Sequence, residues 1–205
     1  MIKVIALDLG GVLFLDGTKE LLEQLEHEQG LDAEQIRSIL KSEQTSLLRK
    51  GMLTDQQYWE WAQQQLPAGY RAEDLKRDWF ESYKLDEGVS RLVQKLRDAP
   101  ERTYKLVIFS GNTPDRVAYL DERYSFRRWF DDAVYSFEEG HEKPEPEFVQ
   151  ALIRRTRVQP QEIFYVDDKE SFVKPAVERG IHVHIYKTGE VKALEDAIRN
   201  AGVTF

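Results

Sequence analysis

Four short segments of the 205-residue chain hold residue types that can do chemistry together. "ALDLGGVLF" (6–14) ends an apolar run in a single carboxylate, Asp8, and continues through Gly10 and Gly11. "VIFSGN" (107–112) ends in Ser110, Gly111 and Asn112. "EKPEPEF" (142–148) supplies Lys143, and "FYVDD" (164–168) ends in Asp167 and Asp168. Three carboxylates brought into one crevice repel one another and raise each other's pKa unless a cation sits among them. Oxygen ligands with no His or Cys beside them suit Mg2+. A crevice of this kind that also holds a lysine and a serine hydroxyl is fit to bind a phosphate dianion: the cations neutralise charge while Ser110 and backbone N–H groups donate hydrogen bonds. Asp8 would then be the nucleophile, attacking phosphorus to form an aspartyl-phosphate.

These residues work together only if their segments end at one place. "YKLVIFS" (104–110), "IFYVDD" (163–168) and "IHVHIY" (181–186) are short apolar runs like the first, and "DAVYSF" (132–137) is a weaker fifth. They read as strands of a parallel sheet, buried on both faces. Helical patterns over 87–98, 145–156, 169–179 and 189–200 separate them, with Pro144 in the first turn of the second and Gly180 closing the third. The expected fold is α/β, a Rossmann-like parallel sheet with helices on both faces. Each motif then lies at the carboxyl end of a strand, where open α/β sheets bind ligands.

Residues 16–84 contain no convincing strand. Leu21, Leu22 and Leu25, then Ile36, Ile39 and Leu40, recur at helical spacing, and "TDQQYWEWAQQQL" opens with a capping box. The expectation is about four helices inserted after the first strand as a cap over the crevice, with 1–15 and 85–205 forming the core. The aromatic residues Tyr58, Trp59, Trp61, Trp79, Phe80 and Tyr83 are expected to pack the cap interior.

Hydrophobic residues make up 41% and charged residues 32% of the chain, the composition of an ordinary globular protein. A net charge of −8 argues against nucleic acid or an anionic membrane as the main partner, and the basic stretches "RRWF" and "IRRTR" read as solvated helix faces. The absence of cysteine excludes disulfides, thiolate zinc sites and a thiol nucleophile, and is compatible with the cytoplasm. The start has a single Lys3, an Asp inside its apolar run and no small-residue cleavage site, unlike a secretory signal. No stretch approaches the ~20 apolar residues of a membrane span. His182 and His184 share one strand face but lack a third ligand. Oligomeric state leaves no signal.

The four segments, in this order, resemble the motifs of the haloacid dehalogenase (HAD) superfamily, and the helical insertion resembles its C1 cap. The resemblance implies Asp8 as nucleophile and Mg2+ ligand, with Ser110 and Lys143 completing the catalytic set. It places the phosphoryl group on Gly11, Ser110, Gly111, Asn112 and Lys143. It makes Asp167 a metal ligand, Asp168 a more distant or water-mediated one, and the carbonyl of Gly10 a further ligand. The activity implied is Mg2+-dependent hydrolysis of a small phosphomonoester, such as a sugar phosphate.

In typical HAD phosphatases the residue two after the nucleophile is a second Asp that protonates the leaving group; here it is Gly10. A general acid is worth about 10²–10⁴-fold, so three readings compete. Another acid, with Asp16, His141 and Glu142 nearest, replaces it; or the leaving group needs little help; or the protein is a non-catalytic binding or regulatory member. HAD phosphatases with an Asp-x-Gly start, such as α-D-glucose-1-phosphate phosphatases, favour catalysis. A 2-haloacid dehalogenase also lacks the second Asp, but has no use for the Asp167–Asp168 pair.

Overall fold

In the computed structural model, which describes residues 1–26 and 32–205, five strands form one sheet: β1 (Val4–Leu7), β2 (Lys105–Ser110), β3 (Asp132–Tyr135), β4 (Ile163–Asp167) and β5 (His182–Ile185). Their order is β3-β2-β1-β4-β5, and every neighbouring pair is parallel. β1 is central because its four residues are all apolar and 0–1% exposed. Period-2 alternation sends Ile5 and Leu7 into one core with Leu106, Ile108, Phe164 and Val166. Val4 and Ala6 enter a second core with Val107, Phe109 and Tyr165. Each fully buried aliphatic side chain contributes about 1.5–3 kcal/mol, so the sheet is held from both faces.

Between β1 and β2 lie α1 (Gly17–Gln24), α2 (Ala33–Leu40), α3 (Glu43–Arg49), α4 (Asp55–Gln65), α5 (Ala72–Glu81) and α6 (Glu87–Arg97). Then come α7 (Pro114–Tyr124), the single turn α8 (Ser136–Glu139), α9 (Pro146–Thr156), α10 (Glu170–Val177) and α11 (Val191–Asn200). Helices α6, α7 and α11 supply residues to the first core, α9 and α10 to the second. This is the doubly wound α/β arrangement expected. The chain runs outward from β1 through β2 to β3, then crosses back to β4, so the order switches beside β1. Ligands bind at that position in open sheets.

Four local expectations need correction. The insertion holds five helices among the described residues, α1–α5, not four; residues 27–31 of it lie outside the described residues. β3 stops at Tyr135, and Ser136 starts the turn α8, so "DAVYSF" is not one strand. β5 is an edge strand with His182 and Ile185 exposed, because it pairs only with β4. Pro144 lies outside α9, joined by a cis bond to Lys143, and Pro146 takes the first-turn position. Thr54 and Gln57 do form the capping box of α4. Tyr58, Trp59, Trp79 and Phe80 form a continuous chain of edge-to-face and tilted ring contacts inside the insertion. Among the described residues no helix is long and apolar enough to cross a membrane.

Candidate active site

Asp8 stands one residue past β1. Its N–H donates to Val166 O at 3.0 Å, which carries the β1–β4 ladder to the sheet's carboxyl edge. Its Oδ1 accepts from Leu9 N at 2.7 Å. The chain then folds back tightly, with Phe14 N on Leu9 O (2.8 Å) and Gly11 N on Phe14 O (2.7 Å). Gly11 sits at φ +82°, and a Cβ there would come 2.4 Å from the Asp168 carboxylate. Only glycine satisfies both the dihedral and the space. A Cβ on Gly10 would meet Cε1 of Tyr83 at 3.4 Å, and nothing else beyond its chain neighbours within 4 Å.

Lys143 bridges the ends of β1 and β4. Its Nζ is 3.1 Å from Asp8 Oδ1 and 2.7 Å from Asp167 Oδ2, with the side chains of all three residues 9% exposed or less. The rings of Phe109 and Tyr165 flank the ammonium at 5.1 and 5.2 Å. Asp167 also accepts from Tyr165 Oη and, at Oδ1, from Lys169 N at 3.0 Å. Burial would raise its pKa, but the Lys143 charge and these bonds outweigh it and hold the carboxyl below its usual range. Asp8 goes the other way: burial pushes it up more than Lys143 pulls it down, and Asp167 adds to the rise.

Oxygens of Asp8, Asp167 and Asp168 all lie within 4.8 Å of one another. Burial pushes Asp168 up to about 7, opposed by Lys169 and reinforced by Asp8, Asp167 and Asp16. Its Oδ1 is buried without a hydrogen-bond partner. Three convergent carboxylates, one of them with an orphaned oxygen, form an all-oxygen donor set that fits a hard divalent cation. Ser110 Oγ is likewise buried with no well-formed bond, although it lies close enough to Asp8 to favour the ionised carboxylate. Nothing lies within 4 Å of a Cβ built on Gly111, so the loop beside Ser110 is open. Asn112 is largely committed: its N–H donates to Ser136 Oγ (3.0 Å), and its Oδ1 accepts from Thr113 N (2.9 Å) and Arg116 Nε (2.7 Å).

A cavity of about 720 Å³ opens over this edge, walled by Asp8, Gly10, Gly111 and Asn112 below and by α1–α3 above. Of the three substitute acids, Asp16 lines it, while capping α1 through Thr18 N and Lys19 N. His141 and Glu142 do not; they bond Glu145 and Ser46 instead. His182 and His184 are remote from it, on the sheet edge. Among the aromatics Tyr83 alone of the six reaches the cavity.

Sequence reasoning did not single out Arg116 or Lys169. Lys169 lines the cavity with Nζ 3.7 Å from Asp168 and 3.8 Å from Asp16. Arg116 is 2% exposed, although nothing in the sequence of its helix, which also carries the exposed Arg123, sets it apart from an ordinary surface arginine. The available signal was its place one turn into the helix that leaves the Ser110 strand end, four residues after Asn112.

The sequence model of the haloacid dehalogenase-like hydrolase family matches residues 2–175. An uncharacterised protein of Dictyostelium discoideum is 33% identical over 223 aligned residues, covering 97% of this chain and 96% of its own. Among solved structures, a HAD family enzyme of Bacteroides thetaiotaomicron, in complex with magnesium and inorganic phosphate, superposes with a TM-score of 0.75 at 23% identity, covering 92% of this chain and 96% of that one. The L-2-haloacid dehalogenase of Xanthobacter autotrophicus gives 0.64 at 19% identity, over 89% and 76%. With the family's sequence signature running through most of the chain, and with these acids at its strand ends bridged by this lysine, the protein belongs to the haloacid dehalogenase-like hydrolases.

Proposed function

We propose that the protein is a Mg2+-dependent phosphohydrolase that cleaves a small phosphomonoester through an aspartyl-phosphate on Asp8. The observation that carries this reading is the convergence of Asp8, Asp167 and Asp168 within 4.8 Å, with Lys143 between the first two. These three carboxylates, with the Gly10 carbonyl beside them, would hold Mg2+, which supplies the charge neutralisation a transferring phosphoryl group needs. The Bacteroides neighbour, crystallised with magnesium and phosphate, supports the same assignment.

Leu9 N and Lys143 occupy Asp8 Oδ1 and fix the carboxylate, leaving Oδ2 to attack phosphorus. The phosphorus–oxygen bond to the leaving group breaks as the bond to Asp8 forms, and water later releases phosphate from Asp8. The Ser110 hydroxyl, which has no well-formed bond, and the open loop of Gly111 would face the transferring group, with Lys143, Gly11 and the side-chain Nδ2 of Asn112 completing its cradle. Of the acids that could protonate the leaving group, Asp16 is the one in the cavity. Residues 16–84 act as a cap on a core of 1–15 and 85–205, joined where Leu15 N meets Lys84 O (2.9 Å) and Asp86 N meets Leu13 O (2.9 Å). A cavity of about 720 Å³ selects small esters.

The test is phosphate release from glucose-1-phosphate, glucose-6-phosphate, acetyl phosphate and p-nitrophenyl phosphate, with Mg2+ and with chelator. Magnesium-dependent turnover that Asp8→Asn abolishes is expected; undiminished turnover in Asp8→Asn would overturn the mechanism. Halide release from 2-haloacids, with no phosphate release, would assign the chain to the dehalogenase branch instead.

A further inference from the structure

Arg116 is a buried cation with no carboxylate of the described residues in direct contact. Its side chain leaves α7 and passes between two aromatic faces, with the guanidinium carbon 4.6 Å from the Trp79 ring centre and 4.5 Å from that of Tyr83. Its polar partners are both neutral. Nε donates to Asn112 Oδ1 at 2.7 Å and Nη1 to Tyr83 Oη at 3.1 Å. Tyr83 is itself fixed through Thr18 Oγ1, which also accepts from Trp79 Nε1 at 3.0 Å. Among the described residues no Asp or Glu lies within ion-pair distance of the guanidinium, and Nη2 makes no hydrogen bond. Burying a charge costs several kcal/mol unless an opposite charge answers it; ring faces return only part of that.

A second guanidinium stands on the same cavity wall. Arg49, on α3, has its Nε buried without a partner, and its closest carboxylate is Glu142 at 4.0 Å, the outer limit of an ion pair. Burial is the main force against the charge of Arg116 and the nearby Arg49 adds to it, while Tyr83 and the more distant Asp8 and Asp16 oppose it only in part. Both arginines line the cavity that holds Asp8. Neither is needed for the phosphoryl group, whose place is at the strand ends with Ser110 and Lys143. A protein of net charge −8 therefore keeps two under-neutralised arginines in its ligand chamber, one of them rigidly held.

We infer that Arg116, assisted by Arg49, forms a subsite for a second oxyanion, so that the ligand carries a carboxylate or a second phosphate in addition to the phosphoryl group delivered to Asp8. The inference rests on the phosphohydrolase reading for the placement of that first group. The planar fork of arginine, held by Asn112 and Tyr83 with Nη2 free, is suited to an oxyanion arriving from the cavity. The ester favoured would be a small phosphorylated acid or a bisphosphate rather than a neutral sugar phosphate.

The experiment measures equilibrium binding, in the presence of Mg2+, of three non-hydrolysable probes: propylphosphonate, 3-phosphonopropionate and 1,3-propylenediphosphonate. One charge-assisted interaction more should make one of the doubly anionic probes bind about 30-fold tighter than propylphosphonate; which one does so separates carboxylate from phosphate. Arg116→Gln should reduce that ratio to under about 3-fold while leaving propylphosphonate affinity nearly unchanged. Equal binding of all three probes by the wild-type protein would overturn the inference, as would an equal loss on all three in Arg116→Gln. Should Arg116→Gln not fold, the wild-type ratio and its reduction in Arg49→Gln decide the matter. Discrimination among the probes with no phosphate released from any ester would leave the anion subsite standing and remove the catalytic reading.

Discussion

The ring of Tyr83 occupies the space beside Gly10, at 3.4 Å from where a β-carbon would stand. A methyl group fits at that distance, but a larger side chain must displace the ring and its bonds to Arg116 and Thr18. Tyr83 thus bounds the space open to a side chain at position 10. Gly10→Ala should change stability by less than about 0.5 kcal/mol, whereas Gly10→Asp should cost about 1–3 kcal/mol by overpacking. In a Tyr83→Ala background the aspartate should add almost no further cost. Denaturant midpoints for the four proteins of this cycle measure the coupling; additive costs would show that Tyr83 does not exclude an acid from position 10.

Lys143 is the counter-charge for two buried carboxylates. Lys143→Met should lower stability by about 3 kcal/mol in chelator, since removing one member of a buried ion pair strands the others. Added Mg2+ should restore more stability to this variant than it adds to the wild type, because the cation takes over the lost neutralisation. Thermal unfolding with and without Mg2+ tests this; an equal metal effect on both would separate the lysine from the carboxylate cluster.

The order of legibility follows the range of the interactions. β1, β2 and β4 and the acids at their ends are local patterns, apolar runs that stop at polar residues, and so are the capping box of α4 and the helices after each strand. β5 misled because its composition is that of a buried strand, while its exposure depends on having no neighbour beyond it. Arg116 was hidden for the same reason. Its burial is made by Trp79 and Tyr83, 37 and 33 positions earlier, and nothing within its own helix announces them. Gly10 was visible as an anomaly, but the ring that packs beside it comes from the far end of the insertion.

Gly11 and Asp168 are in contact only because residue 11 lacks a side chain. If Asp168 belongs to a Mg2+ site, Gly11→Ala should weaken Mg2+ binding about 10-fold or more by pushing the carboxylate aside, and Asp168→Asn should do so comparably. Wild-type protein at 100 times its Kd gains about 2.7 kcal/mol, readable as a rise in Tm that both variants reduce at the same metal concentration. A full Mg2+ response in Gly11→Ala would place the ion elsewhere.

Asp55 opens α4 and faces Asp115 at the start of α7, with Lys76 of α5 paired to Asp115. Burial, with Asp115 adding to it and Lys76 opposing, raises Asp55 to about 6 from an ordinary 3.8. An unfolded aspartate gives up its proton near 4, so between 4 and 6 the folded chain binds a proton that the unfolded chain does not. The stability from this group is therefore fully present below about pH 4 and lost as pH rises through 6. Asp55 is only partly buried, so solvent screening reduces the effect to about 1 kcal/mol. Asp55→Asn should accordingly stabilise the protein by about that amount at pH 7.5 and by almost nothing at pH 4, where the native acid is already neutral. Urea midpoints for both proteins at the two pH values test it, and a gain at pH 4 equal to that at pH 7.5 would show that the charge of Asp55 is not what the junction between α4 and α7 resists.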